Sequence, residues 1–406
     1  MEICVQIRLP LIMPLKLSAT TPRLALIQTG CYYLAFIVLG LSTAVVGPTL
    51  NNLATHTGST LGAVSSLFAA NALGRTAGSL LSGRIYDRLR GHPIIAFALA
   101  LVGLSHFVLP SLGMLWPLLA VGFVLGTAEG TMDVGCNTLL MRVHGKNVGP
   151  FMNGLHLTFG IGAFIMPLVA AASLKATSDV FGAFWFVSLL VVPLVVIFLR
   201  LPNPIAHSEH EAAQARPIPQ TSLVAIFVVF FFLFVGVEAT PGSWTFSYGK
   251  GLGLDEIGAG ALNSMFFGGF TLGRLLSIPI ATRIKPGRVL VLDIVGLFVG
   301  VGLLLLVREP GVLMWLGIGV LGFAVASMFP TALAYAEERF AVTGTITGIF
   351  LAASNMAVMF FPWLIGQFFE SRGPSVMTIV LALLTVGTAA IFAVLNGAMR
   401  KPQSQV

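Results

Sequence analysis

The chain has 406 residues, of which 56% are hydrophobic and only 9% charged, and its mean hydropathy is +0.95. That is apolar enough to place nearly the whole chain in lipid, which makes it a polytopic membrane protein and excludes an ordinary soluble domain. Basic residues outnumber acidic ones 22 to 15. In a lipid-embedded chain that excess is read loop by loop, as a topology signal and not as a nucleic-acid footprint.

Residues 1–22 carry Arg8 and Lys16 around a short apolar piece interrupted by Pro10 and Pro14, a poor signal peptide that reads as a retained cytoplasmic leader. Six apolar segments follow within 23–200, at roughly 25–50, 61–83, 93–112, 115–141, 151–173 and 180–200. A proline-bearing polar stretch at 201–220 reads as a cytoplasmic linker. Six more segments lie within 221–397, at roughly 221–248, 257–282, 288–307, 312–336, 344–368 and 375–397, and residues 398–406 form a tail. The expectation is an all-α integral membrane protein with twelve transmembrane helices in two pseudo-symmetric six-helix bundles.

With the N-terminus inside, sixteen of the 22 lysines and arginines fall on the cytoplasmic face and only Lys175, Lys250, Arg308 and Arg372 on the other. That asymmetry puts both termini in the cytoplasm, and the localisation expected is the plasma membrane, or the inner membrane of a bacterium. Three cysteines, Cys4, Cys31 and Cys136, show no paired spacing, so neither a disulfide framework nor a metal site is indicated.

The two remaining arginines expose an internal repeat. Leu73-Gly74-Arg75 recurs as Leu272-Gly273-Arg274, and Gly122-Phe123 recurs as Gly322-Phe323. Gly149 and Pro167 likewise match Gly344 and Pro362. A constant offset of about half the chain is the mark of a two-bundle transporter.

The fourth segment carries Glu129, Asp133 and Asn137 at i, i+4 and i+8, one polar stripe on an apolar helix. A carboxylate at mid-membrane costs on the order of 3 kcal/mol even on lenient insertion scales, so two on one face must look into the bundle or a watery cavity. Such groups bind a proton or recruit Na⁺ or an arginine. Asp133 and Glu129 are therefore the candidate cation-coupling residues, with Glu129 equally readable as a structural partner. Arg75 lies at a similar depth to Asp133, so the two can form an ion pair. For both Arg75 and Arg274 a gate clamp and a substrate contact remain open readings.

The seventh segment carries Glu238, then Pro241-Gly242, then Trp244. Proline removes a backbone donor and glycine loosens the chain, which predicts a broken helix beside an acid and an indole. Glu238 would accept hydroxyls while Trp244 either stacks on a sugar ring or belongs to the interfacial belt. Breaks are also expected at Gly47-Pro48 and Phe329-Pro330, giving the gates their hinges. Asn355, in the eleventh segment, is a candidate lining residue.

The loop after the second segment reads Gly83-Arg-Ile-Tyr-Asp87-Arg88-Leu-Arg90-Gly91, similar to the loop signature of the major facilitator superfamily. The matching loop, Arg283-Ile-Lys-Pro-Gly287-Arg288, lacks the aspartate, so only the first copy offers Asp87 and Arg88 as a charge latch. Within that superfamily, the stretches at 132–140 and 150–160 resemble the branch of fucose permease and sodium-dependent glucose transporters. So do Gly47-Pro-Thr-Leu-Asn-Asn-Leu-Ala54 and Gly236-Val-Glu-Ala-Thr-Pro-Gly-Ser-Trp244. The resemblance implies that Asp133 stands where fucose permease has a helix 4 glutamate and His156 where it has a helix 5 glutamine. It therefore adds His156 and the neighbouring Asn153 to the substrate-binding candidates, beside Asn137. The helix 1 aspartate of fucose permease has no counterpart here.

The function expected is secondary active transport by alternating access, with H⁺- or Na⁺-coupled uptake of a hexose or related small polar solute. Proton-driven efflux of drug-like or lipid-like amphiphiles is the alternative on the same fold. A membrane receptor or scaffold without transport is the alternative outside the class. No His-Glu-x-x-His, Gly-x-Ser-x-Gly or phosphate-binding glycine loop occurs, so an enzyme is not expected. The partners expected are a small-molecule substrate, sugar by resemblance, and the lipid bilayer, with no nucleic acid, no cofactor beyond the coupling ion, and a monomeric state.

Overall fold

A computed structural model describes residues 22–204, 221–340 and 342–400; the predicted leader, most of the linker and the end of the tail lie outside the described residues. The described chain is helical, without strands. The first bundle comprises α1 (Pro22–Ala44), α2 (Val46–His56), α3 (Leu61–Val64), α4 (Ser66–Arg88), α5 (Gly91–Val108), α6 (Leu115–His144), α7 (Val148–Thr177) and α8 (Phe181–Arg200). The second comprises α9 (Thr221–Gly251), α10 (Glu256–Ala281), α11 (Pro286–Leu305), α12 (Val312–Val325), α13 (Met328–Glu337), α14 (Gly344–Arg372) and α15 (Ser375–Arg400).

Three spans are built from two helices each: α1 with α2, α3 with α4, and α12 with α13. Eleven helical stretches among the described residues are long and apolar enough to cross a membrane. The twelfth span contains α4, whose apolarity is diluted by Arg75, Arg84, Asp87 and Arg88. The side-chain distribution is that of a protein in lipid. Leu80, Trp116 and Leu189 are more than 70% exposed on the outside, whereas Glu129, Asn263 and Thr240 are fully buried within.

Two of the expected helix breaks are present. The first span is interrupted at Val45, and Pro48, in the first turn of α2, stands four residues after Ala44. The tenth is interrupted at Ala326-Ser327, and Pro330 stands four residues after Ala326. In each case the proline lacks the N–H that would bond the earlier carbonyl and its ring crowds that carbonyl, so the helix restarts. The expected break at Pro241-Gly242 does not occur. α9 runs unbroken to Gly251, because α10 packs on it at that level: a side chain at Gly242 would already touch Phe266 and Phe267.

Small residues bring the central helices together. On α4 and α6, Gly74, Gly78, Gly126 and Gly130 face the partner's backbone so closely that a Cβ on any of them would lie 2.0–2.3 Å from a carbonyl oxygen. The same seam recurs in the second bundle, where Gly269, Gly273 and Gly322 bring α10 against α12 with corresponding distances of 2.1–2.5 Å. Without a hydrophobic drive between helices in lipid, such close backbone approach supplies much of the association.

The bundles meet chiefly through α7 with α10, α4 and α3 with α14, and α2 with α9. At the end opposite the arginine-rich loops they are stitched by four hydrogen bonds. Asn51 Nδ2 donates to Ser247 Oγ (3.1 Å), the Leu61 amide to Glu370 Oε1 (2.8 Å), Gln367 Nε2 to the Gly62 carbonyl (2.7 Å) and Ser65 Oγ to the Trp363 carbonyl (3.4 Å).

Candidate substrate and cation site

The α4–α6 seam positions the charged cluster. Gly126 and Gly130 pack against the backbone of Asn71 and Arg75, which sets those two side chains beside the acidic stripe of α6. Glu129 is fully buried and accepts hydrogen bonds from Ser42 Oγ on α1 and from Asn71 Nδ2 on α4, the latter at 3.1 Å. One turn on, Asp133 lies within electrostatic range of both Arg75 and Glu129. Asn137 donates to Asp133 Oδ1 and to its backbone carbonyl, each at 2.9 Å, which orients the carboxylate and occupies the amide. Arg75 Nη1 donates to Thr43 Oγ1 at 3.3 Å. Asp133 therefore has Arg75 in electrostatic range without a direct ion pair among the described residues, and Glu129 is held by neutral donors, an arrangement that can trade protein partners for a proton or a metal cation.

A central cavity of about 220 Å³ opens between the bundles beside this cluster. From the first bundle, Ser42, Thr43, Asn71 and Arg75 reach its wall; from the second, Glu238 and Ser243 on α9 face them. Phe68, Phe159, Phe266, Phe267 and Phe270 supply aromatic faces. Rings and hydroxyl-binding edges together suit a small solute with an apolar face and a polar rim.

A second cavity, about 520 Å³, lies toward the arginine-rich end, where it reaches Ile284 and Pro286 in the α10–α11 connection. Its polar lining includes Asn153, His156, Arg274, Ser277 and Thr331. Arg274 Nη2 donates at 3.1 Å to the carbonyl of Ala326, at the break between α12 and α13. Its guanidinium carbon sits 5.0 Å from the centre of the Phe270 ring, and the group is in electrostatic range of Glu238 and His156.

The predicted residues thus separate. Glu238 and Arg75 line the central cavity, with Glu129 and Asp133 immediately behind it. Asn153 and His156 line the second cavity together with Arg274. Asn137 is engaged with Asp133, and Asn355, one turn before the cavity residue Val358 on α14, is not on the wall. Trp244 does not line the cavity either. It is fully buried, donates to the Pro362 carbonyl at 2.9 Å and stacks on Phe369 with ring centres 4.7 Å apart, so it ties α9 to α14. At the basic end Asp87 pairs with Arg142 at 3.6 Å across the α4–α6 ends, while Arg88 is exposed, so the latch partner is Arg142 and not the adjacent arginine.

Sequence reasoning missed Ser42, Thr43, Asn71 and Ser243, because lone serines, threonines and asparagines are common in membrane helices. The Gly-x-x-x-Gly spacing of Gly74 with Gly78, and of Gly122 with Gly126 and Gly130, was the available signal for which helices meet.

Comparison with known proteins places this architecture. The chain is 27% identical to sodium-dependent glucose transporter 1 of Homo sapiens, over 89% of this chain and 77% of that protein. It is 26% identical to major facilitator superfamily domain-containing protein 4A of Mus musculus, over 85% of this chain and 86% of that protein. Among solved structures it is similar to the nucleoside transporter NupG, with a TM-score of 0.72 at 15% identity, covering 93% of this chain and 100% of that one. It is also similar to the D-xylose-proton symporter, with a TM-score of 0.69 at 15% identity over 89% and 96% of the two chains. The profile of the Major Facilitator Superfamily matches residues 32–362, most of the chain, and the chain belongs to that superfamily of membrane transporters.

Proposed function

We propose that this protein takes up a hexose or similar polyol with H⁺ or Na⁺ as the coupling ion, by alternating access between its two bundles. The observation that carries the reading is the central cavity. It lies between the bundles, is stitched shut on one side, and has Glu129 bonded to its wall residues Ser42 and Asn71, with Asp133 in electrostatic range of its wall residue Arg75. The family relatives named as glucose transporters support the solute class. Within that cavity Asn71, Arg75 and Glu238 can meet hydroxyls while the phenylalanine rings cover an apolar face, which supports a small polyol.

In this reading Asp133 is the exchange group. A proton or Na⁺ arriving at Asp133 weakens its hold on Arg75, whose guanidinium reaches the cavity wall and is then free to meet the solute. Glu129 senses the same event through Ser42 and Asn71, which touch both it and the cavity. With the arginine-rich loops in the cytoplasm, the stitched end is the outer gate and the second cavity opens inward, so the conformation is inward-facing, in a plasma membrane and as a monomer.

The test is uptake of labelled glucose into proteoliposomes under an imposed inward proton or sodium gradient, with Asp133→Asn beside the native protein. The reading expects concentrative uptake by the native protein. It expects solute exchange without accumulation in Asp133→Asn. Absence of glucose movement under either gradient would reject the hexose assignment.

A further inference from the structure

Two cavities, not one, lie on the path between the bundles, and the boundary between them is sharply drawn. On α7, Phe159 faces the central cavity and His156, three residues earlier, faces the second one. On α10, Phe270 faces the central cavity and Arg274, four residues later, faces the second. Both helices therefore pass from one chamber to the other within a single turn, about 5.4 Å of helix. At that level the two helices touch: a Cβ on Gly160 would lie 2.2 Å from Thr271 Oγ1. Phe270 is further held by the Arg274 guanidinium over its ring. Phe159 and Phe270 are thus the aromatic residues of the central cavity's wall nearest the second chamber on these two helices.

The second chamber has polar groups left over. Arg274 spends Nη2 on the Ala326 carbonyl, but its Nε–H is buried and without an acceptor. A buried donor left unpaired costs about 1–3 kcal/mol, so a site with room beside it favours a ligand that supplies oxygen lone pairs. His156 and Asn153 stand on the facing wall, from the other bundle. An imidazole and a carboxamide both donate and accept, as an array of vicinal hydroxyls requires. Glu238 offsets part of the Arg274 charge, which favours a neutral polyol over an anion.

We propose that this second chamber is a distinct binding site for the transported polyol, a release site formed by Asn153, His156 and Arg274 and separated from the central site by Phe159 and Phe270. The proposal rests on the polyol reading above. It makes transport a two-stage passage, in which the solute passes Phe159 and Phe270 before leaving.

The experiment is equilibrium dialysis of tritiated glucose against the purified full-length protein, repeated with tritiated uridine as a second polyhydroxylated probe. The native protein is expected to bind two solute molecules per chain at saturation, the second with about tenfold lower affinity. Asn153→Ala combined with His156→Ala is expected to abolish the weaker site and leave the tighter one. Phe159→Ala is expected to merge the two phases into one. Thermal unfolding of each variant, monitored by size exclusion, separates lost binding from lost fold, and Asn153→Ala alone, at an exposed position, serves where the double variant unfolds. A single site unaffected by the double variant overturns the proposal, as does a single site that the double variant destroys. Failure to bind either probe overturns the polyol reading and the proposal with it, a result distinct from binding at one site.

Discussion

The two bundles carry the same arginine on the same kind of glycine seam, and use it differently. On α4, Arg75 lies in electrostatic range of Asp133 on α6 and donates to a threonine of α1. On α10, Arg274 finds no acid on α12; it donates to a carbonyl released by the Ala326-Ser327 break and reaches across to Glu238 on α9. One half of the repeat sets its arginine near a carboxylate, the other uses it as a clamp on a broken helix. The difference arises because Glu129 and Asp133 have no counterparts along Val312–Val325, while the one proline of α6, Pro117, sits in its first turn and frees no carbonyl inside the helix.

The harshest way to break the comparison is to remove a charge from the first seam. Arg75→Gln leaves Asp133 without the cation in its electrostatic range, inside a membrane where a carboxylate costs on the order of 3 kcal/mol. We expect large losses of thermal stability and of transport, with partial rescue by adding Asp133→Asn, read in a double-mutant cycle. Arg274→Gln should gain nothing from Asp133→Asn. Next in size, Gly126→Ala drives a methyl to within 2.0 Å of the Asn71 carbonyl, and overpacking of this kind costs about 1–3 kcal/mol. Gly322→Ala should behave alike, at 2.1 Å from the Phe266 carbonyl, whereas Gly302→Ala, which meets nothing within 4 Å, should leave the melting temperature unchanged.

A smaller effect is expected at the clamp. Ser327 donates to both carboxylate oxygens of Asp293, at 2.8 and 2.7 Å, and holds the tenth span at its break. Ser327→Ala should cost about 0.5–1.5 kcal/mol, as for one hydrogen bond, and should slow solute exchange in stopped-flow assays. The smallest effect is expected from Trp244→Phe. It removes one hydrogen bond to the Pro362 carbonyl, about 1 kcal/mol, and should lower stability slightly while leaving solute affinity unchanged. A large loss of affinity would return Trp244 to the binding site.

Much of this was legible in the sequence. Apolar run lengths gave the spans, and the Leu-Gly-Arg repeat marked both seams. Pro48 and Pro330 located two breaks, because a proline acts on its own helix and needs no partner to do so. Pro241 misled for the complementary reason: whether a helix bends there depends on neighbours, and α10 holds it straight. Depth along a helix is set by counting, but direction around it is set by packing. Hence Glu238 and Arg75 line the central cavity, while Trp244 turns inward to α14 and Asn153 and His156 line a different chamber from Glu238. Ser42 and Asn71 acquire meaning only from the buried carboxylate they touch.

The stitched end has a consequence for how fast the protein can turn over. Its four inter-bundle hydrogen bonds use a serine, two amide side chains and one backbone N–H as donors, with Glu370 the only ionised member. At about 0.5–1.5 kcal/mol net for each, such a seam amounts to a few kcal/mol. A solute held at millimolar affinity contributes about 4 kcal/mol, the same scale. In the proposed cycle, solute occupancy therefore acts on the same energy scale as these four hydrogen bonds.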